Sequence, residues 1–159
     1  MNIQELNDAL MISESRFRSI FESSPHSMQI KLEFSATGPV KIHCDPNRID
    51  QVITNLMTNA IRYGKFKAIH VSLIAKDGLS VLKVKDHGIG IAKEDHERIF
   101  NRFERGQSSG DVAGLGLELF INHQIIEQHG GNIYVESKLD EGSTFIIELP
   151  CICDVARDV

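Results

Sequence analysis

The polar residues of the stretch 50–64 have types and spacing that suit a phosphorylated ligand. Asn55 and Asn59 lie four residues apart and Arg62 follows three residues later, so a helix would carry two amides and a guanidinium along one side. Amide oxygens suit Mg²⁺, which prefers oxygen ligands and keeps several waters, and a fixed cation suits phosphate oxygens. Apolar residues recur at helical spacing on the opposite side and predict a core-facing surface: Ile49, Val52, Ile53, Leu56 and Ala60. Alone, the pattern equally fits a helix whose polar edge faces solvent.

Two glycine-containing segments lie further along the chain. In Asp86-His-Gly88-Ile-Gly90, a carboxylate at a strand end can accept a hydrogen bond from the exocyclic amine of adenine, and the glycines would let a ligand approach the backbone. The flanking Ile91 offers an apolar wall for a ring. In Gly114-Leu115-Gly116-Leu117, backbone N–H groups at a helix start suit phosphates. Each segment is a weak signal alone, and their order after the asparagine helix strengthens both.

The composition limits the classes of function. The chain has 159 residues, of which 42% are hydrophobic and 25% charged, as in one ordinary globular domain. A net charge of −5 without a run of Lys and Arg argues against nucleic-acid binding. The chain has no long apolar run or signal-peptide pattern, so we expect no membrane contact and a cytoplasmic location, with any membrane anchor in a parent protein. Three cysteines are too few and wrongly spaced for a structural zinc site, and their odd number argues against a disulfide framework.

Periodicity and turn signals predict the elements that position these residues. We expect helices at about 46–63, 93–100 and 117–128, and strands at 27–34, 40–43, 68–75, 79–85, 132–138 and 143–149. The pattern predicts an α+β, two-layer sandwich in which three helices cover a mixed, mostly antiparallel sheet. We divide the chain into an amphipathic, helical N-terminal segment 1–26, a domain 27–150 and a tail 151–159.

Four motifs in order resemble those of the catalytic, ATP-binding domain of sensor histidine kinases. They are Asn55-Leu-Met-Thr-Asn59-Ala-Ile-Arg62-Tyr63, Asp86-His-Gly88-Ile-Gly90-Ile91, Ile99-Phe100-Asn-Arg-Phe103 and Gly142-Ser-Thr144-Phe. The resemblance covers residues 27–150 and implies the Bergerat fold that gyrase B, Hsp90 and MutL share. Residues 13–25 are similar to the entry helix of a PAS sensor domain, whose body is absent from this sequence.

The resemblance implies ATP and Mg²⁺ as cofactors and gives each matching residue a role. Asn59 would be the Mg²⁺ ligand, with Asn55 and Arg62 contacting phosphates. Tyr63 and Ile91 would flank the adenine, Asp86 would hold its amine, and Thr144 would support a water there. Residues 101–113 would form the ATP lid, which would contact the nucleotide through Phe103 and Arg105. The second glycine box would contact it through Gly114, Leu115, Gly116 and Leu117.

Two departures from the family pattern bear on function. Counting back from His129-Gly-Gly places Glu118 where the second glycine box normally ends in glycine, and a carboxylate there would repel a triphosphate. None of the seven histidines lies in a phosphoacceptor context. We therefore expect the γ-phosphate of ATP to pass to a histidine-bearing dimerisation domain outside this chain, with a response regulator receiver domain as the next partner and ADP as the product.

Three alternatives remain open from the sequence. A stand-alone serine kinase of the anti-sigma-factor type has about this length, and an ATP hydrolase of the gyrase or Hsp90 type has the same fold. Both normally carry a glutamate four residues before the metal-binding asparagine, where this chain has Asn55. The third alternative, a degenerate nucleotide-binding or interaction module, is motivated by Glu118 and by the missing phosphoacceptor hairpin.

Overall fold

A computed structural model of the chain describes residues 2–5, 15, 32–36, 40–65, 67–101 and 117–152. The strands within these ranges are β1 (Asn2–Glu5), β2 (Leu32–Ala36), β3 (Lys41–Cys44), β4 (Ile69–Lys76), β5 (Leu79–Lys85), β6 (Asn132–Lys138) and β7 (Gly142–Pro150). The α-helices of this part of the chain are α1 (Pro46–Tyr63) and α2 (Glu118–Gln128). No helix among these residues is long and apolar enough to cross a membrane.

A five-stranded sheet in the order β2-β4-β5-β7-β6 forms the base of the fold. Strand β2 pairs parallel with β4, and the other neighbours pair antiparallel. A separate two-stranded sheet joins β1 to β3. The predicted fold class, an α+β sandwich with a mixed and mostly antiparallel sheet, is confirmed.

Helix α1 begins and ends where the sequence predicted. The Asp45 carboxylate accepts hydrogen bonds from the backbone N–H groups of Asn47 and Arg48, at 3.0 and 3.4 Å, and Pro46 occupies the first turn, which is the usual chemistry of a helix start. His129 accepts from the Asp45 N–H at Nε2, and its Nδ1 lies 2.7 Å from the Ile125 carbonyl. This histidine therefore ties the end of α2 to the start of α1.

The core lies between one sheet face and the helices. Helix α1 buries one apolar stripe, made of Ile49, Val52, Ile53, Leu56, Met57 and Ala60. It packs with α2 and with alternating strand residues, namely Val71, Leu73, Leu82, Val84, Phe145, Ile147 and Leu149. This packing holds the polar edge of α1 beside the end of β5 and the start of α2.

Three predictions need correction. The third helix, expected at 93–100, is two 3₁₀ turns, Lys93–Asp95 and Arg98–Phe100, because its backbone bonds close over three residues and the segment is too short to favour an α-helix. Residues 2–5 of the expected N-terminal helix form a strand, since they pair with β3. The expected tail begins later than residue 150, because Cys151 and Ile152 donate backbone bonds to Gly78 and Lys41. Residues 27–31 of the first predicted strand and most of 6–26 lie outside the described residues.

Candidate functional site

Asp86 is a buried carboxylate at the end of β5. Asp86 is only 3% exposed, and its Oδ1 accepts hydrogen bonds from the backbone N–H groups of Gly88, at 2.9 Å, and Ser143, at 3.3 Å. Burial raises the pKa of Asp86 above its ordinary value, although the two N–H groups and His87 oppose the rise. Both of these bonds go to Oδ1, so Oδ2 is the oxygen oriented to accept from a ligand.

The glycines of the turn 86–91 make room for the protein's own backbone. A Cβ on Gly88 would lie 1.7 Å from the Tyr63 carbonyl oxygen, and one on Gly90 would lie 2.0 Å from that of Lys138. Gly90 also has a φ of 70°, a backbone conformation that residues with a side chain rarely adopt. The Ile89 N–H donates to the Tyr63 carbonyl. The turn is therefore fixed against the end of α1, and the close approach of a ligand to these glycines stays a prediction.

Two serines complete the support of this turn. The Ser137 hydroxyl accepts from the Ile91 N–H at 2.7 Å, donates to the Gly142 carbonyl at 2.8 Å, and lies 2.7 Å from the Ser143 hydroxyl. Strand register places Ser143 opposite Asp86 and Thr144 opposite the exposed Lys85. Because neighbouring strand residues face opposite sides, Thr144 lies on the far side of the sheet and Ser143 is the residue beside Asp86.

The polar edge of α1 contacts α2 at two places. The Asn55 Nδ2 donates to Oδ1 of the fully buried Asn122 at 2.9 Å, and Arg62 lies 3.6 Å from the Glu118 carboxylate. The Nδ2 of Asn122 has no hydrogen-bond partner among the described residues. A buried donor left without a partner costs about 1–3 kcal/mol, so this amide is an unusual feature of an otherwise apolar helix face.

Glu118 therefore faces the guanidinium that the sequence assigned to phosphate binding. The Arg62 and Glu118 side chains are 35% and 47% exposed, and ion pairs in such positions contribute roughly 0.2–1 kcal/mol. Glu118 also lies in the first turn of α2, where a carboxylate interacts favourably with the positive helix end. A phosphate at this place would compete with Glu118 for both groups.

The remaining predicted residues lie near the glycine turn that follows β5 or near the contact between α1 and α2. Asn59 is half-buried and lies one helical turn from both Asn55 and Arg62. Tyr63 and Ile91 are half-buried beside the glycine turn, and Leu117 directly precedes α2. Phe100 is buried and packs edge-on against Phe145, with ring centroids 6.3 Å apart.

Several predicted contacts lie outside the described residues. They are Phe103, Arg105, Gly114, Leu115 and Gly116, together with residues 102–113 of the expected lid. The structure adds Asn122, Ser137 and Ser143, which the sequence analysis did not propose. Ser143 follows from the register once β5 is known to pair with β7, whereas no local pattern marks the contacts of Asn122.

Known proteins match this chain in sequence and in fold. Residues 44–152 match the family model described as histidine kinase-, DNA gyrase B-, and HSP90-like ATPase. The sensor protein SrrB of Staphylococcus aureus is 44% identical over 109 residues, which cover 67% of this chain and 19% of SrrB. The chain thus spans about a fifth of the length of that relative.

Solved structures of kinase domains have the same fold. The catalytic domain of histidine kinase ThkA is 28% identical with a TM-score of 0.80, over 94% of this chain and 98% of that one. A mycobacterial sensor histidine kinase, MprB, superposes with a TM-score of 0.81 over 94% of this chain and 97% of that one, at 24% identity. The MprB match concerns the fold alone, and the SrrB and ThkA matches extend to the sequence.

Proposed function

This chain belongs to the family of histidine kinase-, DNA gyrase B- and HSP90-like ATPases, and we propose from that premise that its site presents Mg-ATP to a histidine. The acceptor histidine would lie on a dimerisation domain outside the chain, and a response regulator receiver domain would take the phosphoryl group next. Both partners belong to the cytoplasm, which is the location that this proposal requires.

The observation that carries the proposal is the connection of two polar sites by α1. Asp86 lies against the end of α1, since a Cβ on Gly64 would come within 3.6 Å of the Asp86 Cβ. Asn55 lies two turns back along the helix, roughly 12 Å away at 1.5 Å per residue. A carboxylate acceptor beside the end of α1, and a guanidinium and two amides along the polar edge that runs back from that end, match a nucleotide whose base and phosphates lie along the helix.

The base would be held at the Asp86 end. The free Oδ2 of Asp86 accepts from an exocyclic amine, and the bonds from Gly88 and Ser143 keep the carboxylate in place. Tyr63 and Ile91 provide partly buried surface beside it. Ser143 takes the supporting position that the resemblance implied for Thr144, because only Ser143 lies on the Asp86 side of the sheet.

The phosphates and metal would be held along the polar edge of α1, which is the phosphate end of the site. Mg²⁺ is usually bound by one or two protein oxygens together with phosphates and waters, and the half-buried amides of Asn55 and Asn59 fit that donor set. When bound, Mg²⁺ would neutralise phosphate charge, with Asn59 as its ligand. Arg62 would exchange Glu118 for phosphate oxygens. Phosphoryl transfer needs mainly positioning and charge neutralisation, which these side chains supply.

Phosphotransfer in trans tests the proposal directly. The chain is incubated with γ-labelled ATP, Mg²⁺ and the dimerisation domain of its parent protein, with a variant of that domain lacking the histidine as the control. The expected product is an acid-labile label on the domain with the histidine and none on the variant. Acid-stable label on serine would instead identify a serine kinase, and free phosphate without an acceptor would identify a hydrolase.

The ion pair of Glu118 with Arg62 favours a second function, a nucleotide-regulated interaction module without transfer. In that case the chain would bind ATP weakly and label no acceptor. The same experiment separates the two functions, because binding without any labelled histidine supports the module and contradicts the kinase.

A further inference from the structure

Asn122 is a polar residue in a position where α2 otherwise buries apolar side chains. It is 0% exposed, and its neighbours on the buried side of the helix are Ile125 and Ile126. An aliphatic residue would satisfy the packing there without leaving a polar group unbonded. The presence of an amide therefore calls for a contact that an aliphatic side chain does not make.

That contact is with Asn55. The Asn122 Oδ1 accepts from the Asn55 Nδ2 at 2.9 Å, and the Asn122 Nδ2 finds no partner within the described ranges. The nitrogen and the oxygen of an amide are bonded to one carbon and point in different directions. Since the nitrogen of Asn55 is bonded to Asn122, the oxygen of Asn55 points in a different direction from Asn122.

We propose that Asn122 is a positioning residue, which orients the Asn55 amide so that its oxygen faces the metal of a bound Mg-nucleotide. This inference rests on the proposed function and deepens it. Asn55 lies one helical turn from Asn59, so a fixed Asn55 oxygen would join Asn59 in binding Mg²⁺ or one of its waters. Without Asn122, the Asn55 amide could rotate and present its N–H groups, which do not bind a cation.

The test compares ADP affinity with Mg²⁺ and with EDTA for the wild type and for Asn122→Leu. We expect Asn122→Leu to lower affinity about tenfold in Mg²⁺ and to leave it unchanged in EDTA. In an Asn55→Ala background, Asn122→Leu should have no further effect, because the two residues act through one contact. Gln124→Leu, an exposed amide on the same helix, is the matched control and should change neither affinity.

A conservative variant keeps the test decisive if Asn122→Leu folds poorly. Asn122→Asp retains an acceptor oxygen at the same place and should keep the dependence on Mg²⁺. An equal loss of affinity with and without Mg²⁺, or a further loss in the Asn55→Ala background, would overturn the role of Asn122. A wild-type chain that binds no ADP in either buffer would overturn the proposed function itself, which is a distinguishable result.

Discussion

The two ends of the site are built in different ways. At the base end, Asp86 is buried and bonded to two backbone N–H groups, and the turn after it is fixed by Tyr63, Lys138 and Ser137. At the phosphate end, the groups are side chains on two helices that are bonded in pairs, and apart from the buried Asn122 they are partly exposed. The base end is therefore preorganised by the fold, whereas at the phosphate end Arg62 must exchange Glu118 for the ligand.

This difference predicts that substitutions at the base end affect folding or binding strongly, and that those at the phosphate end adjust affinity. The largest effect should come from Gly88→Ala. Its Cβ would lie 1.7 Å from the Tyr63 carbonyl, so the turn or the end of α1 must move, at a cost of about 3 kcal/mol in the free energy of unfolding. Chemical denaturation measures it.

Gly78→Ala is the matched control for Gly88→Ala. A Cβ on Gly78 meets nothing within 4 Å, and the cost arises only from its φ of 78°, which amounts to about 1–2 kcal/mol. Equal destabilisation by the two variants would contradict the close packing of the glycine turn on α1.

Asp86→Asn should separate binding from stability. The amide oxygen keeps both backbone bonds, but the nitrogen then faces the exocyclic amine of the base, so a donor meets a donor. We expect affinity for ADP to fall about 100-fold, or about 2.7 kcal/mol, while the melting temperature holds or rises because a buried charge is removed. The exposed Asp140→Asn is the control, and a melting temperature that falls with binding would contradict this account.

The pH dependence should follow the raised pKa of Asp86. Its folded-state pKa lies above the ordinary value, so its contribution to stability is lost as pH rises from the unfolded-state pKa through the folded-state pKa, and acidification restores it. Base binding needs the ionised form of Asp86, so it should weaken on acidification at a higher pH than an ordinary Asp would allow. Titration of adenosine measures this, and Asp86→Asn should remove the dependence.

The smallest effect should come from Glu118, whose contact with Arg62 is exposed on both sides. Glu118→Gln removes the charge that faces Arg62, and because both side chains are partly exposed, the gain in ADP affinity should be about two- to fivefold. Glutamine has nearly the size and helix propensity of glutamate, whereas a substitution by glycine would change both. No gain, measured alongside the exposed Glu127→Gln as a control, would show that Glu118 does not compete with phosphate.

The features that could be predicted from the sequence are those that depend on neighbouring residues in the chain. Asp45-Pro46 marked the start of α1, and alternation located β5 and hence Asp86 at its end. Asn122, Ser143 and the partner of Glu118 were missed because each depends on how two distant elements pack. A pattern within one helix cannot show that Asn55 meets Asn122, 67 residues away.

The binding of a non-hydrolysable ATP analogue, measured by calorimetry with and without Mg²⁺, tests the central claim most directly. The account predicts binding that requires Mg²⁺ and that falls at least tenfold in Asn59→Leu, but not in Asn47→Leu, which changes an exposed amide near the start of the same helix. No binding at about millimolar analogue, where even weak sites fill, or equal binding with EDTA, would contradict a Mg-nucleotide site on α1.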